Sequence, residues 1–284
     1  MSHNTSPISP LKWVGSKRWL APLLTPLIKE LKPKVVCEAF AGSLAISLYH
    51  QFDKVIANDL NPFLINFYRQ IMKGMTYNPE DHCPSEKYYY EVRKRVNEMT
   101  RNNEINTKEA AIFFYFINKQ GYRGLWRCNA SDEVNTPFGH YKKISSLERA
   151  DDLQERIKGW DFVSGTYQDL DTRSSDLNII DGPYLENFTN YTAQSFKLPE
   201  QLELIDWSAN QNKPTIYCNS AKYPIAKACK QAGFDVYKIP APRSIGSHVS
   251  DSNSVPELIA FKGFGSQRKF SLLVKGAKRW RMNL

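Results

Sequence analysis

The chain has no CxxC pair, and its five cysteines, Cys37, Cys83, Cys128, Cys218 and Cys229, are scattered and odd in number. Neither a disulfide framework nor a cysteine zinc site is indicated, no metal is expected, and a reducing cytoplasm fits best. No apolar run approaches the roughly 18 residues of a membrane span, so no membrane partner is expected. Met1 to Pro10 is polar and lacks the apolar core of a signal peptide; it reads as a mobile arm. There is no internal repeat and no low-complexity tract, so a repeat architecture is not expected. The GxGxxG dinucleotide fingerprint is missing, which argues against NAD and toward another nucleoside ligand. Acidic residues are in deficit: 29 Asp and Glu face 38 Lys and Arg, a net charge of +9. That balance suits a polyanion such as nucleic acid, or simply a basic protein surface.

What is present fits a globular enzyme. A chain of 284 residues, 42% hydrophobic, can form one large domain or one core with a smaller insert. Trp19–Leu31 has helical spacing, with Pro26 expected to kink or restart it. Lys34–Cys37 is a short β-branched strand, 40–43 a turn, Leu44–His50 a helix, and Lys54–Ala57 a second strand ending at Asn58-Asp59. This order is the first half of an open parallel α/β sheet. Asn61-Pro62 can start a helix, and Glu86–Met99 and Thr107–Lys119 look amphipathic. Strand-like runs resume at Asp161–Ser164, Leu177–Ile180, Thr215–Cys218, Val236–Ile239 and Leu258–Phe261. The simplest organisation is an α/β domain of residues 1–61 and 151–284 interrupted by a helical insert at 62–150. The basic end, Ser266 to Leu284, reads as a solvated extension or as an amphipathic tail on DNA.

Ligands of open α/β sheets sit beyond the carboxyl ends of the strands. Phe40-Ala41-Gly42 follows the first strand: Gly42 allows close backbone approach and Phe40 offers an apolar wall. Asp59 ends the second strand, where a carboxylate can accept hydrogen bonds from ribose hydroxyls. Equally, Gly42 can merely shape a turn and Asp59 can cap the helix that follows. Asp181-Gly182-Pro183-Tyr184 follows the apolar run Leu177–Ile180. An adenine amine is a poor nucleophile because its lone pair is delocalised into the ring. Two acceptors, the Asp181 carboxylate and the Gly182 carbonyl, could draw that lone pair out and aim it, while Tyr184 stacks on the base. A base in a duplex must be flipped out to reach such a pocket. Alone, the tetrapeptide also fits an ordinary strand-end turn.

Taken together, the motifs resemble the Dam family of DNA adenine methyltransferases, in order from about Leu11 to Phe264. Residues 11–17, Leu-Lys-Trp-Val-Gly-Ser-Lys, resemble the family's LKWAGGK element, and 38–42 its ExFxG motif. Asn58-Asp59-Leu60-Asn61 is similar to its ribose-binding element. Residues 121–129 and 135–139 resemble GYNGLxRxN…NxPFG. Asp181 to Tyr184 stands for DPPY, Asn187-Phe188-Thr189 to Tyr191 continues it, and Arg243-Ser244-Ile245 resembles the late basic-serine element. The resemblance implies a class I, Rossmann-like sheet with a helical target-recognition insert, and an enzyme that converts S-adenosylmethionine to S-adenosylhomocysteine. It implies cofactor contacts at Trp13, Lys17, Glu38, Phe40, Gly42, Asp59, Tyr167 and Asp181, and catalysis at Asp181, Gly182, Pro183 and Tyr184. It implies contacts to double-stranded DNA, at GATC or a closely related site, from Lys12, Tyr122, Arg123, Leu125, Arg127, Asn129, Pro137, Arg243 and Ser244, with the positions of Lys12, Leu125, Arg127 and Pro137 touching bases of GATC in the family. Tyr122 takes the place of an aromatic wedge, or else belongs with Leu125 to the core of the insert. A bacterial or phage-encoded monomer is expected, with pairing on DNA the alternative.

Gly182 departs from the family's proline. Proline would fix the backbone and aim the carbonyl. Glycine keeps the carbonyl but frees the chain, a difference of order 1 kcal/mol in the unfolded state. An active, slower enzyme is expected, and Gly182→Pro is expected to keep or raise turnover. The competing readings are a non-catalytic DNA-binding relative and a modifier of another base or of RNA.

Overall fold

The computed structural model describes residues 9–148, 150–185, 196–242, 255–265, 274 and 276–280. An eight-stranded sheet runs through the molecule. In chain order its strands are β1 (Val35–Glu38), β2 (Lys54–Asp59), β3 (Asp161–Ser164), β4 (Leu177–Ile180), β5 (Thr215–Ser220), β6 (Asp235–Ala241), β7 (Val255–Lys262) and β8 (Lys278–Arg279). Their spatial order is β3-β2-β1-β4-β5-β7-β6-β8. The first five strands are mutually parallel, and β7 runs antiparallel between β5 and β6. This is the class I Rossmann-like methyltransferase sheet that the resemblance implies. The chain winds outward from β1 to β3, then returns to lay β4 beside β1. The gap between β1 and β4 is therefore the topological switch point, where α/β sheets bind ligands.

The strands alternate between two cores, as their period of two requires. Val36, Ile179, Ile216, Cys218, Ile259 and Phe261 face one. Cys37, Ile180, Tyr217, Leu258 and Ala260 face the other. On the first face lie the helices α1 (Thr25–Leu31), α2 (Ala45–His50), α3 (Pro62–Met72), α4 (Glu86–Arg101), α5 (Lys108–Gln120) and α6 (Ala150–Ile157). On the second lie α7 (Leu198–Ala209) and α8 (Tyr223–Gln231). No described helix is long and apolar enough to cross a membrane.

Local chemistry explains most boundaries. Pro26 restarts a 3₁₀ turn, Ala21–Leu24, as α1. The side chains of Asn61, Ser85 and Thr107 cap α3, α4 and α5, each supplying an acceptor to otherwise unpaired backbone N–H groups. Asp59 is thus not the cap of α3. Helix α3 serves both parts of the molecule: Arg69 donates to the Phe162 carbonyl on β3, while Phe67 stacks against Tyr115 of α5.

Two terminal expectations change. Ser9 is buried and its carbonyl accepts from Arg18, so the described end of the N-terminal arm is fixed to the body. Within the basic end, Lys278–Arg279 form β8 on the edge of β6, and Arg279 pairs with Asp235 at 3.0 Å. These residues complete the sheet rather than extend into solvent; the remaining tail residues after Gly265, except Val274, Gly276, Ala277 and Trp280, lie outside the described set.

Candidate active site

The residues expected on the cofactor side gather at the carboxyl ends of β1 to β4. β1 delivers Glu38 and then Phe40 and Gly42; β2 ends on Asp59; β3 leads to Tyr167; β4 ends beside Asp181. The turn after β1 is tied to β2 by Ala41 N–H to the Asn58 carbonyl, and the Asn58 amide donates to the carbonyls of Ala39 and Gly165. Gly42 sits at φ +45°, and a side chain there would meet Trp13 Nε1 at 2.7 Å. The glycine is thus required twice, by its backbone and by the indole packed on it.

Asp59 is spoken for on both oxygens. Oδ2 accepts from Gly42 N–H at 3.0 Å and Oδ1 from Asn61 N–H at 2.9 Å. Burial pushes its pKa up, against these two hydrogen bonds. Each carboxylate oxygen still has a second lone pair. Phe40 is half-buried, with its ring centroid 5.7 Å from that of Tyr167. Glu38 points elsewhere: it is buried, and its Oε1 accepts from Ser47 N–H at 3.0 Å, anchoring α2. Burial pushes its pKa up to about 7, against the Ser47 hydrogen bonds.

Around Asp181 lies a cluster of three charged side chains, Lys17, Asp181 and Glu257, with the Tyr184 hydroxyl bonded to one of them. Lys17 is buried, with Nζ 2.9 Å from Asp181 Oδ1 and 3.8 Å from Glu257 Oε2. Burial opposes the ammonium, but the two carboxylates outweigh it and hold the pKa of Lys17 above its ordinary value. Burial raises the pKa of Asp181, with Lys17 pulling it back. Tyr184 donates to Glu257 Oε2 at 2.8 Å, and the Lys17 ammonium lies 4.7 Å from the centre of the Tyr184 ring. Gly182 is buried, wedged against Phe40 and Leu204. Sequence reasoning missed Glu257; the one available signal was a lone acidic residue in the apolar run of β7.

The recognition motifs form a separate ledge. Residues 121–129 and 135–139 pair with each other: Tyr122 N–H donates to the Pro137 carbonyl at 2.8 Å, and Asn135 N–H to the Arg127 carbonyl at 2.9 Å. Tyr122, Arg123, Arg127 and Pro137 are exposed, and Leu125 is half-buried. Tyr122 therefore does not belong to the insert's core; its ring lies beneath the Arg123 guanidinium. The core position is Trp126, which packs on Phe63 and Phe114. Asn129 spends its carbonyl oxygen on the N–H groups of Ser131 and Glu133, so it shapes this turn. Arg127 Nε donates to Asn135 Oδ1 at 2.8 Å.

The two regions are joined by the N-terminal segment. Lys12 exchanges backbone hydrogen bonds with the Asn118 side chain of α5 and donates from Nζ to the Lys119 carbonyl at 2.9 Å. It packs on Gly124, and its ammonium lies 3.6 Å from the Tyr141 ring centre. The next residue, Trp13, covers Gly42. Arg243 and Ser244, with Asn187 to Tyr191, lie outside the described residues. Among the described residues no cluster of His, Cys, Asp or Glu could hold a metal ion.

A family model for D12 class N6 adenine-specific DNA methyltransferases matches residues 13–243. The chain is 30% identical over 273 residues to a DNA adenine methylase of Escherichia coli K12, covering 88% of this chain and 93% of the relative. It is 29% identical to the Retron Ec67 DNA adenine methylase of Escherichia coli, over 89% of this chain and 90% of the relative. It is 27% identical to the type II methyltransferase M1.LlaDCHI of Lactococcus lactis, over 87% and 93%.

Proposed function

This chain belongs to the D12 class N6 adenine-specific DNA methyltransferases, and from that premise we propose that it methylates a flipped adenine within GATC or a closely related duplex site, using S-adenosylmethionine. The observation that carries the proposal is the convergence of Phe40, Gly42, Asp59 and Asp181 at the switch point of the sheet. The donor set fits the cofactor: a carboxylate with spare lone pairs at Asp59, aromatic walls at Phe40 and Tyr167, and an open backbone turn at Gly42. When bound, S-adenosylmethionine supplies an electrophilic methyl group on a sulfonium.

The chain's own part is to make the amine nucleophilic. Asp181 and the Gly182 carbonyl accept hydrogen bonds from the two amine N–H groups and turn the nitrogen lone pair out of the ring. Lys17 beside Asp181 favours the carboxylate against the upward push of burial. Tyr184 stacks on the extruded base, and Glu257 fixes the tyrosine's hydroxyl. Residues 62–150 serve as the target-recognition part, with the exposed ledge of Tyr122, Arg123, Arg127 and Pro137 facing DNA. Arginine matches the guanine acceptors of the major groove. Lys12 and Leu125 join that face, with Arg243 and Ser244 as expected contributors. The bacterial relatives support action in the cytoplasm.

Incubation with radiolabelled methyl donor and duplex DNA with or without GATC tests the reading. Label on adenine N6 of GATC duplexes is expected. Tight DNA binding without label, or label confined to RNA or to another base, would overturn it.

A further inference from the structure

The missing proline at position 182 removes a constraint from the loop that must aim a carbonyl. The structure replaces that constraint from outside. Gln201, one turn into α7 and fully buried, donates from Nε2 to the Pro183 carbonyl at 2.6 Å. The direction of the amide is fixed chemically, because a proline carbonyl can only accept. Its other end is held too: Gln201 Oε1 accepts from Asn219 Nδ2 at 2.7 Å, and Asn219, fully buried on β5, also donates to the Tyr217 hydroxyl at 2.9 Å. Asn219 Oδ1 in turn accepts from Ser220 N–H at 2.8 Å. A satisfied buried network of this kind rigidifies what it touches.

Three residues along α7, Leu204 fills the space beside Gly182. A Cβ at 182 would lie 2.9 Å from Leu204 Cδ2 and 3.2 Å from the Phe40 ring. Leu204 has no exposed surface, so it has little room to yield. The expectation that proline alone would keep or raise turnover is therefore revised: a side chain at 182 displaces Leu204 or Phe40.

We propose that Gln201 is a positioning residue for methyl transfer, which clamps the Asp181–Tyr184 loop through the Pro183 carbonyl and takes over the constraint that glycine at 182 gives up. The inference rests on the proposed role of this loop in holding adenine. Gln201 reaches neither base nor cofactor; it fixes the Pro183–Tyr184 peptide plane, and because the Pro183 ring locks φ, only ψ of Pro183 separates that plane from the one carrying the Gly182 carbonyl. Leu204 supplies the complementary half by filling the volume a side chain would take.

The test compares Gln201→Met, which keeps length and loses the donor, with Gln201→Glu, which keeps an acceptor for Asn219 and sets an acceptor against Pro183. Both should lower kcat for adenine methylation by about tenfold or more, while KM for donor and for DNA stay within about twofold. Amide hydrogen exchange at Tyr184 should quicken in both. In a Gly182→Pro/Leu204→Ala background, where the ring has space and constrains the loop itself, Gln201→Met should cost less than about threefold. Unchanged kcat in the single variants, or an undiminished loss in the proline background, overturns the proposal. If Gln201→Met does not fold, Gln201→Glu and the exchange measurement decide. Failure of the parent protein to methylate adenine would sink the functional reading instead, and the clamp would then stand or fall on the exchange rates.

Discussion

The Lys17 ammonium lies 2.9 Å from Asp181 Oδ1 with only 3% of its side chain exposed. A buried cation of this kind is tolerated because two carboxylates face it, Asp181 and Glu257. The sign of its influence on Asp181 is downward, against the upward push of burial. Removing it strands a partly buried carboxylate and favours the neutral acid.

Two substitutions separate these roles. Asp181→Ala should lower methyl transfer by at least about 100-fold while DNA binding survives. Lys17→Met should raise the pKa of Asp181, so that activity is lost at neutral pH and partly recovers as pH rises. The acid limb of the kcat/KM profile reads this shift; a limb that does not move contradicts the pairing.

Tyr184 is held by its hydroxyl to Glu257 at 2.8 Å. Glu257→Ala frees the ring and leaves Lys17 one counter-charge instead of two, and should cost about tenfold in kcat. Glu257→Gln keeps an acceptor for the tyrosine and should retain most of the activity. Equal losses in the two variants would show that the charge, rather than the hydrogen bond, is what matters.

Gly42→Ala places a methyl group against the Trp13 ring at a positive φ. Trp13 must shift or the turn must open, and either changes the wall of the proposed cofactor pocket. Donor affinity, measured by calorimetry, should weaken about tenfold with DNA affinity unchanged. Unaltered donor binding would count against Trp13 as part of that pocket.

Glu38 links the site to stability. Its pKa is raised by burial to about 7 from an ordinary 4.5. A raised carboxylate gives stability that is complete below the unfolded value and is lost as pH climbs through the folded one. Its contribution should therefore fall between pH 4.5 and 7. Glu38→Gln keeps an acceptor for Ser47 N–H and removes the charge. It should gain up to about 3 kcal/mol over the parent at pH 8.5 and far less at pH 4. Urea denaturation at the two pH values measures the difference, and a pH-independent gain would refute the assignment.

Strand positions and the helix start at Asn61 were legible in the sequence because their signals are local; Ser85 and Thr107 are not read there as caps. β3 and β4 fall where β-branched and apolar runs predict, and Asn61, Ser85 and Thr107 stand one residue before their helices. Helices α7 and α8 were not defined that way: the apolar period of α7 is weak, and that of α8, though clear, spans only nine residues. The small residues that shape the site were visible as motifs, but not their partners. Glu257 and Gln201 come from β7 and α7, elements other than those that carry Lys17 and Pro183, and pair with them through space.

By itself the sequence determined the chemistry available: a carboxylate after β4, another at the end of β2, a glycine after β1, and a basic chain without disulfide or zinc spacing. Only the tertiary structure decided what constrains that chemistry. Gly182 reads in one dimension as a loss of rigidity, because the sequence shows the missing ring and not its surroundings. In three dimensions it is a buried contact with Leu204 and Phe40, beside a carbonyl held by Gln201. Rigidity in a loop depends on packing and hydrogen bonds from other elements, and chain folding alone brings those elements together.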